Sequence, residues 1–130
     1  MRTNNIKNVA TAWVEMWSYD LESPERDKFD WVGDFEYEAT YEKPELGLEL
    51  ILEVLRLDPS IEIIEVLAAG PLEDLLSQHG ESMITKIEFL ARNNGKFANL
   101  LGGVWQNSMP EEVWNRVQKV WDRSGWDGNA

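Results

Sequence analysis

Apolar residues recur at every third or fourth position along most of the chain, which is the spacing of one face of an α-helix. The first such stripe lies near the N-terminus and consists of Ile6, Val9, Ala10, Trp13, Met16 and Trp17. This stripe predicts an amphipathic first helix of about four turns, with its tryptophans turned toward a core.

Proline, glycine and asparagine divide the rest of the chain into short helices, because proline suits the first turn of a helix and glycine suits the residue after its end. The apolar spacing predicts helices that begin at Ser23-Pro24 and Lys43-Pro44, and others over Pro59 or Ser60 to Ala69, Pro71 to Gly80, Glu81 to Arg92, Lys96 to Leu101 and Glu111 to Arg123. Between Phe35 and Tyr41 apolar and polar residues alternate, so a short strand competes there. We expect a helix that frays into a loop.

These elements predict an all-α fold, because the chain shows no βαβ pattern and no clear hairpin signal. The expected architecture is a single compact domain of about six or seven short helices, either an irregular orthogonal bundle or a short stack of helix pairs. We expect this domain to cover residues 1–124 and residues 125–130 to form a flexible C-terminal tail.

The stretch LAAGPLEDLLSQHG (residues 67–80) concentrates unusual residues and could be an active site or a corner between helices. Gly70 can take a positive φ angle and end one helix, while Pro71 can start the next. Gly80 can end that second helix in the same way. We interpret the stretch as a corner.

The only histidine of the chain, His79, follows two adjacent carboxylates, Glu73 and Asp74. Steps of five and six residues along a helix point side chains apart, and one histidine cannot supply the usual ligand set of zinc. The helix dipole favours acids in the first turn and histidine in the last turn. We therefore expect structural roles for these residues and predict no enzyme activity, no metal and no cofactor.

The composition indicates a folded protein of the cytoplasm. The chain has 130 residues with seven tryptophans, which add large buried areas, and no cysteine, which excludes disulfides and thiolate metal sites. No apolar run approaches the roughly 18 residues of a membrane span, and the N-terminus lacks the apolar segment of a secretory signal.

Negative charge is concentrated in one part of the chain. The net charge is -12, and residues Glu15 to Asp74 contain 18 acidic and 4 basic residues, whereas the remaining residues carry a small positive excess. Such a field repels nucleic acid and anionic membranes and attracts a basic protein. An acidic surface also keeps proteins soluble, so charge alone does not establish a binding role.

Aromatic and acidic residues are mixed in the stretch DKFDWVGDFEYEATYEKPE. Aromatic anchors among carboxylates are typical of contacts with a basic protein surface, although the aromatics could instead belong to the core. The predicted partner-binding residues are Asp27, Asp30, Trp31, Asp34, Glu36, Tyr37, Glu38, Tyr41, Glu42 and Glu45.

Two weaker patterns carry alternative chemistry. Asp27, Asp30 and Asp34 share one helix face and could bind a divalent ion, form a solvated surface or meet a basic partner. The segment LLGGVW slightly resembles a phosphate loop, but no Lys-Ser or Lys-Thr follows it. We expect its glycines to let Trp105 pack closely across a tight turn.

The C-terminal half resembles a bacterial family known only as a domain of unknown function. The resemblance lies in the segments AGPLEDLL (69–76), HG (79–80), LLGGVW (100–105) and VW (113–114), and it spans about half of the chain, from Leu67 to Val117. It implies a bacterial, helical, stand-alone domain and supplies no activity.

By analogy with small acidic proteins encoded beside polymorphic toxins, we expect an immunity or antitoxin-like protein that neutralises a basic toxin domain, for example a nuclease. The alternatives are a nucleic-acid mimic, a general protein-interaction domain and, less favoured, a metal-dependent hydrolase. The expected partner is a basic protein, with no nucleic acid and no membrane involved, and the oligomeric state stays open.

Overall fold

The computed structural model describes residues 5–58 and 60–126. Within these ranges the elements follow in the order α1 (Ile6–Met16), a 3₁₀ helix (Pro24–Phe29), α2 (Asp30–Glu42), α3 (Pro44–Leu57), α4 (Ile61–Leu67), a π-helical turn (Ala68–Leu72), α5 (Glu73–Asn93), α6 (Gly95–Leu101) and α7 (Glu111–Val120). The described residues contain no strand. The predicted class, a single all-α domain, is confirmed.

Helix α3 packs against α1, α2 and α5, so it lies at the centre of the N-terminal half. It buries Leu48, Leu50, Ile51, Val54 and Leu55. The backbones of α2 and α3 approach closely, since a Cβ added to Gly47 would lie 3.0 Å from the carbonyl oxygen of Ala39. This tight contact fixes the position of α2 and of the polar face that it presents.

Helix α2 corrects the prediction for residues 35–41. The alternation does not form a strand, and the helix does not fray before Glu42. Ala39 and Thr40 are buried against the rest of the fold, and the Thr40 hydroxyl donates to the carbonyl oxygen of Glu36 at 2.9 Å. Burial of one side of the helix outweighs the alternating pattern at this position.

The predicted corner at Gly70 and Pro71 is wrong. Gly70 does not take a positive φ angle, and the helical backbone continues through a π-helical turn in which the Glu73 N–H donates to the Ala68 carbonyl, five residues back. Pro71 has no N–H to donate, so the wider turn carries the helix past it while Pro71 itself stays buried.

The predicted helix boundary at Gly80 lies within one residue of the observed one. His79 has non-helical φ and ψ angles of -134° and 23°, and two helical segments of α5 meet there at a kink. A Cβ at Gly80 would lie 2.9 Å from Cγ1 of Val113, so the glycine lets α7 pack closely against α5. Gly80 therefore lies at a helix boundary and also at a close contact between helices, and the sequence predicted only the boundary.

The glycines of the LLGGVW segment do receive a tryptophan, but it is Trp126 and not Trp105. A Cβ at Gly103 would lie 2.4 Å from the Trp126 ring, whereas the side chain of Trp105 is 74% exposed. Trp126 belongs to the segment predicted to be a flexible tail, and residues 127–130 lie outside the described ranges. No described helix is long and apolar enough to cross a membrane.

Candidate functional site

An open groove of about 720 Å³ lies where α1 ends, beside the 3₁₀ helix, α2 and the first turn of α5. Its walls carry five carboxylate side chains, those of Asp27, Asp30, Asp34, Glu36 and Asp74. We call this feature the acidic groove. Part of the negative charge predicted from the sequence therefore lines a concave surface.

Helical spacing brings the predicted residues of α2 to the acidic groove. Asp30, Asp34, Tyr37 and Tyr41 follow one another at steps of three and four and line the same wall. The rings of Tyr37 and Tyr41 are stacked, with centroids 4.5 Å apart and planes at 13°. Asp27 joins this wall from the 3₁₀ helix, which Pro24 begins and Ser23 caps.

The other predicted partner-binding residues do not line the groove. Glu38 forms an ion pair with Lys43 at 3.2 Å, and Glu45 pairs with Lys86 of α5. These lysines neutralise part of the predicted patch outside the groove. Trp31 and Glu42 are exposed elsewhere on α2. The structure therefore brings together Asp27, Asp30, Asp34, Glu36, Tyr37 and Tyr41, and separates Trp31, Glu38, Glu42 and Glu45 from them.

Sequence reasoning missed several groove residues. Asp74 was interpreted as a helix-terminus acid, yet it lines the groove from α5, immediately after the π-helical turn. Leu21 lies at the groove with 69% of its side chain exposed, in a loop with no apolar periodicity to mark it. Trp17 was placed on the core stripe of α1, but it also contributes to the groove. No local pattern marks these positions, because the tertiary fold brings them together.

Arg26 is the one cationic side chain among the described residues that line the groove, and it is already engaged. Its Nη1 donates to the carbonyl oxygens of Met16 and Tyr19 at 3.1 and 3.3 Å. Its guanidinium also lies 4.5 Å from the centroid of the Trp17 ring. Arg26 therefore ties the 3₁₀ helix to the end of α1 and forms no ion pair with a groove carboxylate.

No cationic side chain among the described residues that line the groove forms an ion pair with its carboxylates. Burial raises the pKa of Asp74, and no described residue donates a hydrogen bond to its carboxylate. The pKa of Glu36 is also raised, chiefly by burial and in smaller part by the charge of Asp74. A hydrogen bond from the Trp13 indole to the Glu36 carboxylate, 2.8 Å long, offsets part of this rise. The pKa of Tyr41 is raised chiefly by the charge of Asp74 and secondarily by burial. A cation entering the groove would relieve all three effects.

The other residues that the sequence analysis singled out make contacts within the fold. His79 Nε2 lies 2.8 Å from the carbonyl oxygen of Tyr41, which ties α5 to the end of α2. Glu73 is buried and hydrogen-bonded to the loop before α7. Within residues 5–58 and 60–126, no group of three or more histidine and carboxylate side chains is placed to hold a metal ion. The Asp27, Asp30 and Asp34 face thus remains a charged wall of the groove.

Fold and site together define a class: a small all-α domain with a concave acidic and aromatic surface. A family of unknown function (DUF6869) matches residues 19–125, and the chain belongs to this family. Comparison with curated proteins and with solved structures gives no match. The expectation that the chain belongs to a family of unknown function is confirmed, whereas the motif pattern that carried the resemblance stays a prediction. Membership supplies no activity.

Proposed function

We propose that the protein is an immunity or antitoxin-like binding protein whose acidic groove receives a basic segment of a bacterial toxin domain. The observation that carries this proposal is the unmatched charge of the groove. Five carboxylates line it, while the single arginine there is engaged by carbonyl oxygens and an indole ring. Among the five, Asp74 is half-buried and accepts no hydrogen bond from the described residues. Half-buried charges of this kind cluster at functional sites.

The rim of the groove supports a macromolecular partner. Leu21 and Tyr37 line it with 69% and 60% of their side chains exposed, and Tyr37 stacks on Tyr41. Exposed apolar and aromatic groups around a charged depression are typical of protein contacts, in which aromatic anchors set the residence time. The carboxylates would speed association with a basic surface.

A protein partner is favoured over the nucleic-acid-mimic alternative by the shape of the site. A mimic must present carboxylates as duplex DNA presents phosphates, on an outward surface that enters a DNA-binding cleft. Here Asp30, Asp34 and Asp74 line a depression. A depression suits protruding lysine or arginine side chains of a partner.

The test is the binding of a purified toxin domain encoded beside the gene, measured by surface plasmon resonance at low salt. The variant carries Asp30→Lys and Asp34→Lys, and the matched control carries Glu111→Lys and Glu112→Lys, two exposed acids of α7. We expect the groove variant to lose about tenfold or more in association rate and the control to change by about twofold or less. Equal rates for the two variants would remove the acidic groove from the mechanism.

A further inference from the structure

Glu73 is a buried carboxylate that the acidic groove does not use. Only 5% of the residue is exposed. Its Oε2 accepts a hydrogen bond from the backbone N–H of Trp105 at 2.9 Å, and its Oε1 accepts from the side-chain amide of Asn107. One carboxylate of α5 thus holds the loop between α6 and α7 at two points.

The loop held by Glu73 has features that favour movement once it is released. Trp105 has 74% of its surface exposed, so little packing fixes its side chain. Asn107 has a φ angle of 46°, in the left-handed region, which asparagine adopts more readily than most non-glycine residues. Residues 104–109 carry no ionisable side chain, so Glu73 supplies the charge at this contact.

Only the ionised form of Glu73 can accept both hydrogen bonds, from Trp105 and from Asn107, without a competing proton. An ionised carboxylate accepts through both oxygens, whereas a protonated one places a hydrogen on one of them and sets it against a donor. Each lost bond of this kind is worth roughly 0.5–1.5 kcal/mol, more where the acceptor is charged. Protonation therefore weakens the attachment of the loop without breaking any contact between the helices.

The surroundings of Glu73 favour protonation. Burial raises the pKa of Glu73, the bond from Trp105 lowers it, the charge of Asp74 raises it, and the bond from Asn107 lowers it. The neighbouring π-helical turn has no ionisable side chain. Helix α2 faces Asp74 with Glu36 and Tyr41, and neither of these two groups contributes to the pKa shift of Glu73. Nothing cationic among the described residues offsets this arrangement.

We propose that Glu73 is an acid-sensitive tether: uptake of one proton by its carboxylate releases the loop that carries Trp105, while the helical fold persists. The proton comes from solvent, one loop hydrogen bond to Glu73 is lost, and its donor is taken up by water. This device is distinct from the acidic groove, and it holds whether or not the groove binds a toxin domain.

The test follows the backbone amide of Trp105 and the side-chain amide of Asn107 by ¹⁵N NMR during an acid titration of the full chain. We expect both resonances to move with one midpoint, above the pKa of an ordinary glutamate, together with increased mobility of residues 105–108. Val104 and Met109, at the two ends of this segment, are buried in the core and should stay fixed. The Trp126 indole, bonded to the Asn99 carbonyl at 2.7 Å, serves as the internal reference and should stay unchanged. Circular dichroism checks that the helices persist over the same range.

Two variants make the result decisive. Glu73→Gln removes the titratable group, so neither resonance should show the transition at any pH, whether or not the amide keeps contacts with Trp105 and Asn107. If that variant fails to fold, Asp74→Asn keeps the tether but removes the neighbouring charge, and the midpoint should move to lower pH. A wild-type loop that keeps its shifts and rigidity until the helices unfold, or a midpoint unmoved in Asp74→Asn, would overturn the proposal.

Discussion

The C-terminal segment and the groove region differ in how completely their polar groups are hydrogen-bonded. Residues 95–126 form a clasp in which Asn99 donates to the carbonyl oxygens of Asp122 and Ser124, at 3.1 and 2.9 Å, and Arg123 donates to that of Gly102. In the groove region the Trp17 indole nitrogen is buried without a hydrogen-bond partner among the described residues, and Asp74 accepts no hydrogen bond from them.

This difference indicates that the clasp contributes to stability and that the groove does not. The clasp joins paired polar groups to close packing, which is typical of structure maintained for its own stability. In the groove, burial raises the pKa of Glu36 and of Asp74, and we expect these two charges to lower the stability of the fold. Such groups are typical of functional sites. Substitutions in the two regions should therefore change stability in opposite directions.

The largest expected effect lies in the clasp, at Gly102. A Cβ at this position would lie 2.1 Å from the carbonyl oxygen of Asp122, a backbone atom that cannot move aside alone. Gly102→Ala should lower the free energy of unfolding by about 3 kcal/mol, measured by urea denaturation. The matched control is Gly33→Ala in α2, where nothing lies within 4 Å of an added Cβ. It should raise stability by roughly 0.5–1 kcal/mol, and a similar loss in both variants would contradict the close packing.

The next effect should appear as an unusual dependence of stability on pH. Glu36, Glu73 and Asp74 have raised pKa values in the folded state. The folded chain therefore binds more protons than the unfolded chain at mildly acidic pH, and its free energy of unfolding rises as pH falls through the raised pKa values. This gain is complete below the pKa of the unfolded groups.

At lower pH the sign reverses. Ion pairing and hydrogen bonds lower the pKa of Glu53, Glu88 and Asp122, and their stabilising effect is lost as pH falls through those lowered values. Denaturant midpoints between pH 7 and pH 3 should pass through a maximum on the acid side of neutrality. A steady decline from pH 7 downward would show that the groove carboxylates are not destabilising.

A smaller effect is expected from neutralising one groove carboxylate. Asp74→Asn removes a half-buried charge without an internal partner, so it should raise the free energy of unfolding by roughly 0.5–1 kcal/mol. Asp34→Asn makes the same change in charge at an exposed position of the same groove and should lie within about 0.5 kcal/mol of wild type. Loss of stability in Asp74→Asn would indicate that the carboxylate has a stabilising partner.

The smallest effect concerns the acidic residues that the fold places outside the groove. Glu38 and Lys43 form an ion pair in which both side chains are more than half exposed. Lys43→Ala should change the free energy of unfolding by about 0.5 kcal/mol or less, because water screens such pairs. A much larger loss, measured by the same denaturation, would mean that charges outside the groove also matter for the fold.

The sequence predicted those features that depend on local pattern. Apolar spacing located α1, and the prolines marked the starts of the 3₁₀ helix and of α3. Regular steps along α2 were enough to place Asp30, Asp34, Tyr37 and Tyr41 on one face. The mixed acidic and aromatic wall of the groove could therefore be predicted, although its concave shape could not.

What sequence reasoning missed depends on contacts between distant segments. The sequence predicts a helix boundary at Gly80, and the structure has a kink at His79, but the close approach of the Val113 side chain to Gly80 has no local signal. The tryptophan received by Gly102 and Gly103 lies more than twenty residues further along the chain. Asp74 reaches the groove only because the helix continues past Pro71 through a π-helical turn. Local propensity contains no information about such pairings.

We propose that the charge of Asp74 is kept for a cationic partner at the expense of stability. The most direct test is the dissociation constant of the Asp74→Asn protein for a basic toxin domain that binds the wild-type protein, measured by calorimetry together with the stability of the variant. We predict a more stable protein that binds about tenfold more weakly, since a semi-buried ion pair with the partner would be lost. A more stable protein that binds as tightly as wild type would contradict the claim.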